Sequence, residues 1–211
     1  MGRKSLLVLS GLILFLAVGC APPVIHKINT SREFDAARIQ RIAILNFDRG
    51  PGVTLARDVL VDKFTAALVD SKFRIVDRTD TRKIMEEAKF QQAGGAMIDE
   101  TTREKLRQLG ADTILTGNLH AYQEERKGNF VLYSEVHLTS KLLKVETGQV
   151  LWSGEIMKRS KAKNLGEKKI LNVIDRESEA DSAGKLLDDI ISDMADSFKE
   201  KKPLMEKIKI W

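Results

Sequence analysis

One side chain in this sequence has chemistry that its neighbours make specific. Cys20 is the single cysteine among 211 residues, and it closes the run Leu16-Ala17-Val18-Gly19-Cys20. Arg3 and Lys4 lie ahead of it, followed by an apolar run over residues 6–18 that only Ser10 and Gly11 interrupt. Such a run is too short to cross a bilayer as a helix and suits the apolar region of a signal peptide. Small residues at Ala17 and Gly19 admit the chain to a peptidase. The Cys20 thiol can then take a diacylglyceryl group as a thioether, which no other side chain there could form. The pattern reads as a bacterial lipoprotein signal, with residues 1–19 removed and Cys20 left as an N-terminus carrying diacylglyceryl and N-acyl lipid. The alternative is a buried cysteine in an N-terminal anchor helix.

More than one acyl chain is needed for stable anchoring, so a fully acylated Cys20 would hold the protein at the membrane. Residue 21 is Ala rather than Asp. By resemblance to Gram-negative lipoproteins, this implies the outer membrane, with the domain facing the periplasm. Acylation consumes the only thiol. The fold must then hold by its core alone, in a compartment that permits disulfides.

Other chemistry is scarce. His120 and His137 share a predicted outer face and could be cross-strand neighbours, while His26 lies near the N-terminus. A metal would need a third ligand, such as Glu135 or Glu124; the plainer reading is two exposed histidines. Gly50-Pro51-Gly52 follows an apolar run but lacks the Gly-Lys-Ser/Thr ending of a phosphate loop. No Gly-x-Ser-x-Gly or His-Glu-x-x-His occurs. The expectation is a non-enzymatic protein with no cofactor beyond the lipid, no metal and no small-molecule substrate.

Removing the first 19 of 211 residues leaves 192, and the formal charge of +5 drops to +3 as Arg3 and Lys4 leave. That charge does not argue for nucleic acid, though it allows weak attraction to anionic lipid or peptidoglycan. An apolar fraction of 43% is enough for one core.

The elements that must carry these residues follow from periodicity. Residues 20–38 read as the lipidated terminus and a short, mostly polar tether. Residues 41–47 form a buried strand, 55–69 a helix with Leu55, Val59, Leu60, Phe64, Ala67 and Leu68 at helical spacing, and 73–76 a second strand. Asp80 caps a helix reaching Phe90, and Thr101-x-x-Glu104 forms a capping box for one ending at Gly110. The period then becomes two. Strands run over 113–125, 130–145 and 150–157, with turns at Lys127-Gly128-Asn129 and Glu146-Thr147-Gly148-Gln149. Phe130, Leu132, Val136, Leu138 and Leu142 fall on one face of the middle strand, and Tyr133, Glu135, His137, Thr139 and Lys141 on the other. Residues 158–179 are basic without a period. Ser178-x-x-Asp181 introduces an amphipathic helix with Ala183, Leu186, Leu187, Ile190, Ile191, Met194 and Phe198 on its apolar stripe. The fold class is an α/β sandwich, a mixed sheet with helices on its faces, spanning 39–199 with a tail over 200–211. The polar face of Tyr133, His137 and Thr139 is the candidate partner surface; Trp152 reads as core or sheet-edge packing, with a place on that surface as the alternative.

Four segments in order carry a resemblance: Ile42-Ala43-Ile44-Leu45-Asn46-Phe47, Phe73-Arg74-Ile75-Val76-Asp77-Arg78, Leu109-Gly110-Ala111-Asp112-Thr113-Ile114-Leu115-Thr116-Gly117, and Val145-Glu146-Thr147-Gly148-Gln149-Val150-Leu151-Trp152-Ser153. Together they resemble the periplasmic domain of the curli production assembly/transport component (CsgG) family, and the penicillin-binding-protein activator LpoB has a similar domain. The resemblance implies a mixed-sheet periplasmic fold, no enzymatic activity, and either self-association in envelope assembly or secretion, or activation of a peptidoglycan synthase. Two departures matter. Candidate membrane hairpins around 123–129 and over 158–180 carry charge at both parities, so neither suits a lipid-facing barrel. The tether also lacks the long Pro-rich linker of the activator type.

Overall fold

The computed structural model describes residues 24–35, 38–69, 73–77, 79, 81, 100–162 and 179–198. Among these, seven strands form one mixed sheet and three helices pack on it. The strands are β1 (Ile25–Thr30), β2 (Arg41–Ile44), β3 (Asp48–Arg49), β4 (Arg74–Ile75), β5 (Thr113–Lys127), β6 (Phe130–Lys144) and β7 (Val150–Lys161). The helices are α1 (Arg57–Val69), α2 (Glu100–Gln108) and α3 (Ala183–Asp196). The sheet order is β1-β7-β6-β5-β2-β4, with β3 also pairing β5. β5, β6, β7 and β1 form an antiparallel half, while β2 and β3 join β5 in parallel and β4 joins β2 in parallel. The expected mixed α/β sheet is therefore present.

α1 and α3 cover one face, here called the inner face. α1 buries Leu60, Val61, Phe64 and Leu68 on one helical stripe, and Phe64 stacks on Phe47 at 5.1 Å between ring centroids. α3 buries Ala183, Leu186, Leu187, Ile190, Ile191, Met194 and Ala195. Both stripes join Leu115, Leu119, Val136, Leu138, Leu142, Trp152 and Ile156 of the sheet in one core. A smaller cluster of Ala43, Leu45, Leu106, Ala111, Ile114 and Val145 brings Leu106 of α2 against the opposite face, close to β2 and the start of β5.

Local chemistry explains the helix ends. Ser182 caps α3 by accepting from the Lys185 amide at 3.2 Å. Ser182, not Ser178, is therefore the start signal. α2 includes Thr101 instead of starting after it, so the predicted capping box gives way to ion pairs of Arg103 with Glu100 and of Arg107 with Glu104. α2 stops at Gly110, whose φ of 76° suits glycine, and the amides of Gly110 and Ala111 close on the carbonyls of Arg107 and Leu106. The helix predicted over 80–90 lies outside the described residues.

Three sequence expectations are corrected. The tether contains a strand: β1 pairs along its whole length with β7, from Ile25 opposite Met157 to Thr30 opposite Trp152. As an edge strand with only Ile25 and Ile28 apolar, it carries little hydrophobic signal. β7 also runs on to Lys161, so the start of the basic stretch is a strand; Lys163, Lys168 and Lys169 lie outside the described residues. Finally, the β5–β6 register slips at Leu132, which has no partner between Tyr133 and Val131. This bulge turns Val131 inward, 3% exposed, in place of the predicted Phe130 and Leu132.

Candidate functional site

The antiparallel half of the sheet turns a polar face away from α1 and α3. Alternation along β6 puts Ser134, Val136, Leu138, Ser140 and Leu142 inside, and Tyr133, Glu135, His137 and Thr139 on the outer face. Register sets their neighbours. Glu135 lies between Gln123 and Arg159, His137 between Ala121 and Met157, and Thr139 between Asn118 and Glu155. A second bulge, at His120, leaves that residue unpaired between Leu119 and Ala121 and brings its ring against His137.

Hydrogen bonds tie this face into a ladder. The Tyr133 hydroxyl donates to Glu135 Oε2 at 2.6 Å, and Arg159 Nε donates to the same oxygen. His137 Nε2 donates to Glu155 Oε1 at 3.1 Å. His120 Nε2 and Thr139 Oγ1 are 3.0 Å apart, and Thr139 donates on to the Asn118 carbonyl at 3.4 Å. The two imidazole centroids are 4.7 Å apart. Each side chain is thus held in one orientation before any partner arrives, which lowers the ordering cost of binding.

Electrostatics follow from these contacts. Burial pushes the Glu135 carboxyl up, but the bonds from Arg159 and Tyr133 outweigh it and hold it below the usual carboxylate range. The bond to Glu135, with burial, raises the Tyr133 phenol. Burial lowers the His120 pKa, the charge of His137 lowers it further, and Glu155 opposes both.

The arrangement can bind but has no catalytic constellation among the described residues. No group of three or more His, Cys, Asp or Glu side chains there could hold a metal ion. The pairing of His120 with His137 is real, yet Thr139 and Glu155 engage one ring each. Gly50-Pro51-Gly52 packs on β5: the Gly50 amide donates to the Leu119 carbonyl at 2.8 Å, and a Cβ at Gly50 would sit 2.5 Å from the His120 carbonyl oxygen. Gly50 is therefore small to fit a backbone, not a phosphate. A cleft of about 610 Å³ at the far end of the sheet is lined by Arg32, Arg38, Asp112, Thr113 and Lys144 among others. Its charges are mixed in sign, and it does not reach the ladder.

Of the predicted partner residues, the structure unites Tyr133, His137 and Thr139. Trp152 takes the core reading, which corrects its place on the partner surface: it is fully buried on the inner face, 4.5 Å from the Phe198 ring. Leu151 is skipped in the β6–β7 register, so the adjacent Leu151 and Trp152 are both buried and strict alternation fails there. His26 lies on β1, not in a tether. Cys20 lies outside the described residues. Sequence reasoning missed Glu155 and Arg159. The period of β7 puts Glu155 and Arg159 on one face, and the register sets that face beside the outer row of β6. No helix among the described residues is long and apolar enough to cross a membrane.

This sheet, with its helices on one face and its polar ladder on the other, can be set beside known proteins. Residues 54–157 match the sequence model of the peptidoglycan-synthase activator LpoB family. The match spans just under half of the chain and takes in β5, β6 and most of β7, hence most of the ladder. It favours the LpoB side of the expected resemblance over the curli side. No curated protein matches the chain in sequence. Among solved structures, the PelC dodecamer from Paraburkholderia phytofirmans has a TM-score of 0.50 at 11% identity, covering 85% of this chain and 100% of that one. That likeness is one of fold. The lipoprotein GNA1162 from Neisseria meningitidis has a TM-score of 0.48 at 16% identity, covering 74% of this chain and 99% of its own. The LpoB C-terminal domain from Salmonella enterica has a TM-score of 0.42 at 16% identity, covering 56% of this chain and 82% of its own.

Proposed function

We propose that this protein is an LpoB-like, non-enzymatic lipoprotein that activates a peptidoglycan synthase from the periplasmic side of the outer membrane. Cys20 carries the lipid, and the ladder of Tyr133, Glu135, His137, Thr139, Glu155 and Arg159 is the docking face. The observation that carries this reading is the family match over 54–157, because it covers most of that face. The chemistry fits a protein partner: fixed donors and acceptors of both signs are set in rows on one sheet face.

The test is binding of the mature chain, with Cys20→Ser to keep it soluble, to the periplasmic domains of a peptidoglycan synthase. Binding that is lost on Thr139→Arg, with unchanged circular dichroism, supports the reading. Absence of binding by the unmodified face removes it.

A second reading, self-association as a scaffold in envelope assembly or secretion, draws on two observations. β1 is an edge strand with one side unpaired among the described residues, and the PelC protein of similar fold is a dodecamer. Light scattering on the same soluble chain decides it: a strict monomer at high concentration excludes the scaffold.

A further inference from the structure

The β5–β6 hairpin overhangs the point where the chain enters the sheet. Ile25, the first residue of β1, lies opposite Met157, which lies opposite His137. From that row β6 extends back to Phe130, and β5 turns into it at Gly128, whose φ of 63° closes the turn. Allowing for the bulge at Leu132, the hairpin projects about 20 Å past the Ile25 row at ~3.3 Å per residue. The projection is braced. Val131 N donates to Glu179 Oε1 at 2.8 Å, Ala180 N to the Val131 carbonyl at 3.1 Å, and Ala183 N to Glu124 Oε2 at 2.7 Å. The segment leading into α3 therefore holds the hairpin almost to its tip.

β1 is antiparallel to β7, so its N-terminal end, Ile25, points toward the hairpin end of the sheet. Five residue steps separate Cys20 from Ile25 and reach about 17 Å at most, fully extended. This is shorter than the overhang. Resting on the acylation of Cys20 proposed above, we infer that the hairpin tip, Arg126 to Phe130, lies among the phospholipid headgroups of the anchoring membrane.

The tip has the composition for that depth. Arg126, Lys127 and Asn129 are polar and exposed, Arg126 is paired with Glu124 at 2.5 Å, and Lys127 has no partner among the described residues. Lys127 is free for a lipid phosphate, while charges at both parities in Glu124-Glu125-Arg126-Lys127 bar the hydrocarbon. The same geometry turns the Thr147 end of the sheet, with its cleft, away from the membrane.

The test uses the full acylated chain in phosphatidylethanolamine/phosphatidylglycerol vesicles. Acylation uses the native thiol, so Asn129→Cys or Thr147→Cys supplies a unique site for a fluorophore. A nitroxide on the lipid headgroup should quench the label at 129 at least ~3-fold more strongly than the label at 147. Equal or weaker quenching at 129 in a chain that floats with the vesicles overturns the inference alone. A chain that does not float, with Cys20 unmodified by mass spectrometry, overturns the acylation and the inference with it.

Discussion

Removing the Phe198 ring should cost this fold a large part of its stability, while trimming the tryptophan it packs against should cost almost nothing. Phe198 and Trp152 are both fully buried, with ring centroids 4.5 Å apart. Phe198→Ala deletes a core aromatic, which costs about 3–5 kcal/mol, with the ring pair contributing on the order of 1 kcal/mol. Trp152→Phe removes roughly 40 Å³, worth about 1 kcal/mol as cavity at ~24 cal/mol per Å³. The Trp152 Nε1–H, however, is buried without a partner among the described residues. Its removal recovers about 1–3 kcal/mol of desolvation cost. The balance runs from about zero to about 2 kcal/mol in favour of the variant, so Trp152→Phe should be neutral or stabilising. Urea unfolding of the soluble Cys20→Ser chain, followed by circular dichroism, measures both. Acrylamide quenching in a Trp211→Phe background reports the burial of Trp152 independently. A loss under about 1 kcal/mol for Phe198→Ala, or fast quenching of Trp152, would return Trp152 to the surface and refute the packing described for α3.

Three other outcomes are expected. The His120 pKa is lowered in the fold, so the unfolded chain binds more protons as pH falls through the ordinary value of 6.5; stability should decline over that window toward the lower folded value, and His120→Gln should flatten the decline in unfolding curves taken at successive pH. Gly117→Ala should destabilise by at least ~2 kcal/mol, because its Cβ would fall 2.0 Å from the Thr139 carbonyl oxygen and 2.8 Å from the Phe47 ring; a neutral result in thermal melts would contradict the close approach of β5 to β6. Glu124→Gln should cost about 0.5–1 kcal/mol, since the Ala183 amide and Arg126 hold its carboxyl below the usual range. That Glu124 contribution is present above the ordinary carboxylate value of 4.5 and lost as pH falls through the lower folded one, so the two proteins should converge in stability in acid.

The long antiparallel strands were legible because a sheet with one covered face must alternate, and residues 113–157 do. Hidden from that pattern were the places where the alternation breaks. Bulges at His120 and Leu132, and the skipped Leu151, each shift parity by one residue, and a bulge is a pairing event between distant segments that leaves no local signature. The break at Leu132 hides Val131 from the pattern, and the break at Leu151 keeps parity from deciding which face Trp152 takes. β1 escapes the pattern because its two half-buried apolar residues, Ile25 and Ile28, sit three apart and so do not alternate. The outer face was half legible: the period in β6 located Tyr133, His137 and Thr139. Glu155 and Arg159 needed the register of β7 to join them.

The proposal of an activator docked through this outer face meets its most direct test in the rate of glycan polymerisation by a purified peptidoglycan synthase. The account predicts that the mature chain raises that rate and that Thr139→Arg with Glu155→Arg abolishes the increase while leaving the unfolding curve unchanged. No stimulation by the unmodified chain, or full stimulation by the doubly substituted one, would contradict it.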